Sequence, residues 1–235
     1  MASTEYRIGV ISDIHGSLLA LEAGYERLQT MGVDRIVCAG DVASFGPEPN
    51  ESVQFLKETG IATARGNEDE AMARQPGQPP PDSARAIQIE EIESWSRDQL
   101  SSANTRWLAG LPGSVTGAHG FLCVHAAPGK PTAIVGPESE KPFPADITCV
   151  CAGHLHQPFV SQALGRVWSN AGSLARPMDH DPRGSLAVAD YRSSGWSVSI
   201  HRIELPLEAM CRRIREAQMP YAARLCETQI KACRW

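Results

Sequence analysis

The chain has 235 residues, 42% hydrophobic and 21% charged, with a formal net charge of -5. That length supports one sizeable core, so a single domain over residues 1–235 is the simplest expectation. Charges of both signs are mixed along the sequence, and no Lys/Arg block offers a dedicated nucleic-acid-binding arm. The opening Met1-Ala2-Ser3-Thr4-Glu5 lacks the basic-then-apolar pattern of a secretory signal, and no apolar run is long enough to cross a bilayer. A cytoplasmic protein without a membrane partner is therefore expected. The seven cysteines have no C-x-x-C spacing and read as reduced, half-buried or buried thiols. Cys149 and Cys151 should share one face of a strand.

In chain order, residues 7–12 read as a buried strand and 17–31 as a helix, with Leu18, Leu21, Tyr25 and Leu28 on one face. Residues 35–39 form a second strand. Asn50 is a plausible N-cap for a helix ending near Gly60, and 61–64 is a third strand. Strands alternating with helices in this way imply a parallel sheet of βαβ units. Residues 75–81 are rich in Pro and Gly and read as a loop; 83–111 are polar and helical, with Trp95 and Trp107 as the large apolar residues. Together, residues 75–111 read as a helical insertion lying over the domain.

Beyond Gly113 the chain turns strand-rich, at 114–116, 120–125 and 147–152. Residues 159–162 and 167–170 flank the turn Leu164-Gly165-Arg166 as a hairpin, and 185–191 with 196–204 make another. The tail is helical from Leu207, with Leu207, Met210, Ile214 and Ala217 on one stripe. Pro220 interrupts it, and a second short helix runs to about Ala232.

Five short polar motifs punctuate these elements: Asp13-Ile14-His15, Gly40-Asp41, Gly66-Asn67, His125 and Gly153-His154-Leu155-His156. Most directly follow a strand-like run, where ligand sites of parallel α/β sheets gather. Any one of them could be an ordinary turn; five in this order carry two carboxylates, one carboxamide and four imidazoles. Carboxylate oxygen with neutral imidazole nitrogen suits borderline divalent ions, and the absence of thiolate ligands sets the set apart from structural zinc. Asp13 and His15, like His154 and His156, are two apart just past a strand, so a bending chain can aim both at one ion. Asp41 has two carboxylate oxygens and can bridge ions about 3.5–4 Å apart. Two divalent ions against two carboxylates leave roughly +2, which attracts a phosphate ester. His119, His180 and His201 lack this context and read as surface or loop residues.

The motif string resembles the calcineurin-like metallophosphoesterase superfamily, in particular its small bacterial and archaeal phosphodiesterase branch. Ser12-Asp13-Ile14-His15-Gly16-Ser17 and Ala39-Gly40-Asp41-Val42-Ala43-Ser44-Phe45-Gly46-Pro47 are similar to segments of that branch, as are Asn170-Ala171-Gly172-Ser173 and Asp181-Pro182-Arg183. The resemblance implies a four-layered α/β/β/α sandwich of two mixed β-sheets flanked by helices. It implies two divalent ions, manganese foremost, with iron, nickel, cobalt or zinc as alternatives. Asp13, His15 and His156 would hold one, Asn67, His125 and His154 the other, and Asp41 would bridge them; Asp41, Asn67 and His125 count as catalytic too. The family activates a metal-bridging water that attacks phosphorus in line with the leaving group.

One position departs from the pattern. Most of the superfamily has His after the Asn, as proton donor to the leaving oxygen; here Glu68 stands there, and it reads as a plain carboxylate at a helix start. The expected activity is hydrolysis of a small phosphoester, possible substrates including nucleotide derivatives, with a phosphodiester first. A phosphomonoesterase or dinucleoside-polyphosphate hydrolase on the same metals is the alternative. A non-catalytic scaffold, like the retromer subunit of this fold, fits less well because all seven ligand positions hold ligand-type residues.

Overall fold

The computed structural model describes residues 6–73, 83–126, 144–163 and 165–234; the expected loop at 75–81 and Leu164 of the expected turn lie outside them. The apolar run Tyr6–Ile11 forms β1, with β2 (Arg35–Cys38) parallel on one side and β9 (Gly184–Arg192) antiparallel on the other. A strand buried on both faces needs apolar residues at successive positions, and Ile8, Val10 and Ile11 are fully buried. The first sheet runs β10-β9-β1-β2-β3, where β3 is Ala62–Thr63 and β10 is Gly195–Ile203. The second runs β4-β5-β6-β8-β7, from Ser114–Thr116, Phe121–Val124, Cys149–Ala152, Arg166–Asn170 and Phe159–Ala163. Its three inner strands β5, β6 and β8 are parallel.

The sheets meet through one apolar layer. Ile8, Val10, Val37 and Ala187 come from the first sheet, and Phe121, Cys123, Cys149, Cys151 and Val167 from the second. Cys149 and Cys151 share this face as expected, and alternation sends Leu122, Val124, Val150 and Trp168 into a separate cluster. Helices cover the first sheet: α1 (Leu18–Thr30), α2 (Pro49–Thr59), α5 (Ser102–Ala109) and α6 (Leu207–Glu216) contribute Leu21, Leu28, Val53, Leu56, Leu108 and Met210 to a cluster with Ile11, Cys38 and Leu186. The architecture is the expected pair of mixed sheets flanked by helices. Among the described residues, no helix is long and apolar enough to cross a membrane.

One local expectation is corrected. The second helix begins at Pro49, with Glu48 rather than Asn50 as its N-cap. Proline is pre-organised for the first helical position, so it sets the start. Asn50 instead accepts from the backbone N–H of Ser101 and the side-chain amide of Asn104, both at 2.9 Å. The helical stretch at 83–111 is two helices, α4 (Ala84–Gln99) and α5, because Leu100 leaves the helical region and Ser101 caps a new start by accepting from Asn104 N–H. His201 lies in β10, the strand expected over 196–204, and is only half-buried, with Ser199 Oγ at 2.9 Å. In the tail, Pro220 separates α6 from α7 (Ala222–Lys231), and Met210 and Ile214 of the expected stripe are buried.

Candidate metal centre

The loops that leave β1, β2, β3, β5 and β6 meet at one mouth. Asp13 N–H donates to Gly40 O (3.0 Å) and His15 N–H to Asp41 O (3.0 Å), so the first two loops run side by side. Gly153 N–H donates to His125 O, and His154 N–H reaches the Asp13 carboxylate at 3.1 Å, which joins the two sheets' loops. Asp13, His15, Asp41, His154 and His156 all have positive φ, between 47° and 73°. Left-handed backbone is costly for most non-glycine residues and concentrates where function needs it. Five of seven candidate ligands share it, which turns their side chains off the strand direction into a common space. Gly66 is required by close approach: a Cβ there would sit 2.1 Å from Asp41 Oδ1.

Two donor sets result. In the first, His15 Nε2 and His156 Nε2 lie 3.1 Å apart, and Asp13 Oδ1 lies 3.3 Å from His156 Nε2. His156 Nδ1 bonds to Arg176 O, which leaves its Nε2 lone pair facing the centre. In the second, Asn67 Oδ1 lies 3.0 Å from His125 Nε2 and 2.9 Å from His154 Nδ1. His125 Nδ1 bonds to Ala39 O at 2.9 Å, again leaving Nε2 as the inward atom. Asp41 stands by the second set, its Oδ2 3.3 Å from His125 Nε2. Donor atoms of Asp13, His15 and His156, and of Asp13, Asp41 and His125, lie close enough together to surround an ion. Oxygen and imidazole nitrogen donors converging on one space are what a cation binds, so the residues present fit divalent metal.

Charge tells the same story. Burial pushes His15 down to about 3, with the neighbouring His156 acting the same way, so it is a neutral imidazole. Burial works to raise Asp13 and Asp41, but the surrounding imidazoles outweigh it and both carboxyls are held low and ionised. Burial lowers His125, yet the Asp41 carboxylate overrides it and lifts the group to about 10. His125 and Asp41 thus share a proton at neutral pH that a divalent ion would displace, as metal ligands generally require. Asn67 and His154 are only half-buried and form the open side of the centre.

All seven residues singled out in the sequence come to this mouth. Glu68 stands in the first turn of α3 (Asn67–Ala73), as expected, and does more there: half-buried, its Oε1 accepts from Asn67 Nδ2 at 3.1 Å, which turns Asn67 Oδ1 toward His125 and His154. Burial, then Asp41 and Glu93, raise its pKa well above the ordinary value. Sequence reading missed Asp69, whose fully buried carboxylate accepts from Asp41 N–H, Val42 N–H and Gly66 N–H at 2.8–2.9 Å. It also missed the roles in 170–176. Asn170 donates to Gly153 O, Ser173 Oγ donates to Asp13 O at 2.7 Å, and Arg176 N–H donates to Ser173 Oγ at 2.7 Å. The Asn-Ala-Gly-Ser string was visible, but its contacts lie 17 and 160 residues away.

Known proteins resemble this chain over most of its length. The family profile of the calcineurin-like phosphoesterase superfamily domain matches residues 6–194. An uncharacterized protein of Methanocaldococcus jannaschii is 25% identical over 239 residues, covering 91% of this chain and 93% of that protein. Among solved structures, a metallophosphoesterase from Sphaerobacter thermophilus superposes with a TM-score of 0.76 at 25% identity, covering 97% of this chain and 99% of that one. A hypothetical protein from Pyrococcus horikoshii superposes with a TM-score of 0.81 at 15% identity, over 98% and 100%; at that identity the likeness is one of fold.

Proposed function

Because this chain belongs to the calcineurin-like phosphoesterase superfamily and is a hydrolase of phosphoric esters, we propose that it hydrolyses small phosphodiesters at a two-metal centre held by Asp13, His15, Asp41, Asn67, His125, His154 and His156. The observation that carries this reading is the pair of converging donor sets, with Asp41 beside His125 and Asp13 beside His156. When bound, a pair of divalent ions supplies Lewis acidity at phosphoryl oxygens and a nucleophile at neutral pH; manganese leads our assignment.

The chain's own residues do the positioning. Asp13, His15 and His156 form the buried wall, and Asn67 with His154 the side open to substrate. Glu68 fixes the Asn67 carboxamide, and the backbone bonds to Ala39 O and Arg176 O fix two imidazoles. With no His at position 68, a diester with a tolerable leaving group is the favoured substrate class. We read the whole chain as one domain and 75–111 as its helical insertion: Ile92 of α4 packs with Phe45 of the mouth loop, so this helix borders the approach. The seven free cysteines suit a reducing compartment such as the cytoplasm.

The test is metal analysis of purified protein combined with turnover of bis-p-nitrophenyl phosphate against p-nitrophenyl phosphate. Two equivalents of divalent metal and faster diester cleavage are expected. Faster monoester cleavage would overturn the diester assignment, and protein that binds no metal would overturn the centre.

A further inference from the structure

Arg176 sits at this mouth and belongs to neither donor set. Its side chain is 9% exposed. The guanidinium carbon lies 4.4 Å above the centroid of the Phe45 ring, and that ring in turn meets His15 edge-on at 5.8 Å. Its charge feels Glu68, Asp13 and Asp41, the carboxylates of the centre. Yet among the described residues the guanidinium makes no hydrogen bond and no ion pair; the bonds of this residue are made by its backbone. A mostly buried cation with no hydrogen-bonded protein partner must satisfy its N–H groups from the solvent side of the mouth or from an anion held there. Asp13 and Asp41 cannot serve as its lasting partners if they hold metal.

The arrangement is built rather than incidental. The backbone of Arg176 is tied at both ends: its N–H to Ser173 Oγ, which itself donates to Asp13 O, and its carbonyl to His156 Nδ1. The platform below it is held in strained backbone, with Ser44 at φ 100° and Phe45 at φ 65°. Gly46 follows with no room for a side chain, since a Cβ there would lie 2.0 Å from His15 O. Strain and close packing thus present one aromatic face under one guanidinium. A guanidinium held over a ring face by cation–π attraction still has N–H donors to offer an anion.

We propose that Arg176 is a substrate anchor whose guanidinium edge takes a non-bridging oxygen of the phosphoryl group presented to the metals. This deepens the phosphoesterase reading and rests on it for the identity of the anion. Arginine is suited to the task because its fork of donors matches phosphoryl oxygens, and hydrogen bonds between charged partners are the stronger ones.

Calorimetric titration of inorganic phosphate into manganese-loaded protein tests it without turnover, with wild type, Arg176→Gln and Arg176→Lys compared. Arg176→Gln should keep its metal content and melting temperature while binding phosphate about tenfold or more weakly, and Arg176→Lys should fall between, keeping charge but losing the fork. Phosphate affinity equal to wild type in the Gln variant overturns the proposal and leaves Arg176 as packing on Phe45. Should the Gln variant fail to fold, wild-type affinity in the Lys variant overturns it instead. Phosphate binding that depends on Arg176 in a protein that cleaves no phosphoester would uphold the anchor and sink the hydrolase reading. Turnover with phosphate affinity indifferent to Arg176 would do the reverse.

Discussion

Asp69 accepts the backbone N–H of Asp41 at 2.9 Å, so a carboxylate outside the donor sets fixes the position of one inside them. The same carboxylate takes Val42 N–H and Gly66 N–H, each at 2.8 Å, and thereby clamps the loop after β2 to the loop after β3. Asp69→Ala leaves three donors facing a cavity in the interior. It should cost at least roughly 3 kcal/mol of stability, at about 1–3 kcal/mol for each of the three donors that water cannot reach, and lower metal content as well. Urea unfolding and metal analysis check both; an unchanged midpoint would show that the clamp is not needed.

Asp41→Asn should be the most damaging single change at the centre. It keeps the shape but removes the charge beside His125. Turnover on bis-p-nitrophenyl phosphate should fall by about three orders of magnitude, roughly 4 kcal/mol of barrier, with less metal retained. Wild-type turnover and full metal content in this variant would remove Asp41 from the bridging role.

Metal should stabilise the folded chain. The donor sets exist only when five separate loops are brought together, so the unfolded chain cannot offer them and binding shifts the equilibrium toward the native state. Chelation followed by thermal melting should lower the midpoint by several degrees, about 2–4 °C for each kcal/mol in a chain of this size. Readdition of manganese should restore it. A midpoint indifferent to both treatments would contradict a native-state metal site.

Glu68 should act by holding Asn67 rather than by giving a proton. Its carboxyl is raised by burial and by Asp41, but bound dications would pull it back toward the ionised form. Gln at this position still offers a carbonyl oxygen to Asn67 Nδ2. Glu68→Gln should therefore stay within about tenfold of wild type on a diester with a good leaving group, under ~1.4 kcal/mol. Glu68→His should help most on poor alkoxide leaving groups. The measurement is turnover across leaving groups of graded pKa, and a steep loss confined to Glu68→Gln on the poorest ones would make Glu68 the acid.

Asp181 is held down to about 2, first by its hydrogen bonds from the Arg183 side chain. Its folded value is below its unfolded one, so its contribution to stability is present above about pH 4 and lost as pH falls toward the folded value. The group lies near the surface, so solvent screening keeps the effect below ~1 kcal/mol. Asp181→Asn should flatten the acid limb of the stability profile between about pH 4 and pH 2 without changing turnover, as read from urea midpoints against pH.

The strands, the helices and the seven candidate ligands could be read from the sequence because each has a local cause. Period-2 and period-3.6 apolar patterns mark the elements, and polar residues that interrupt a strand-like run, as at Asp13, Asp41 and His154, stand out wherever they fall. Local signals also compete: at the start of α2 the proline at 49 outranked the capping side chain at 50. What the sequence could not determine was which side chains hold the ligands in place. Asp69 looks like one acid in the run Glu68-Asp69-Glu70, and only folding makes it the buried acceptor of three backbone donors. Arg176 looks like any arginine before a proline until two loops, 131 residues apart in the chain, lay it on Phe45. Burial and partnership belong to the packed chain, where loops from both sheets share one volume; a residue's neighbours in sequence carry no information about them.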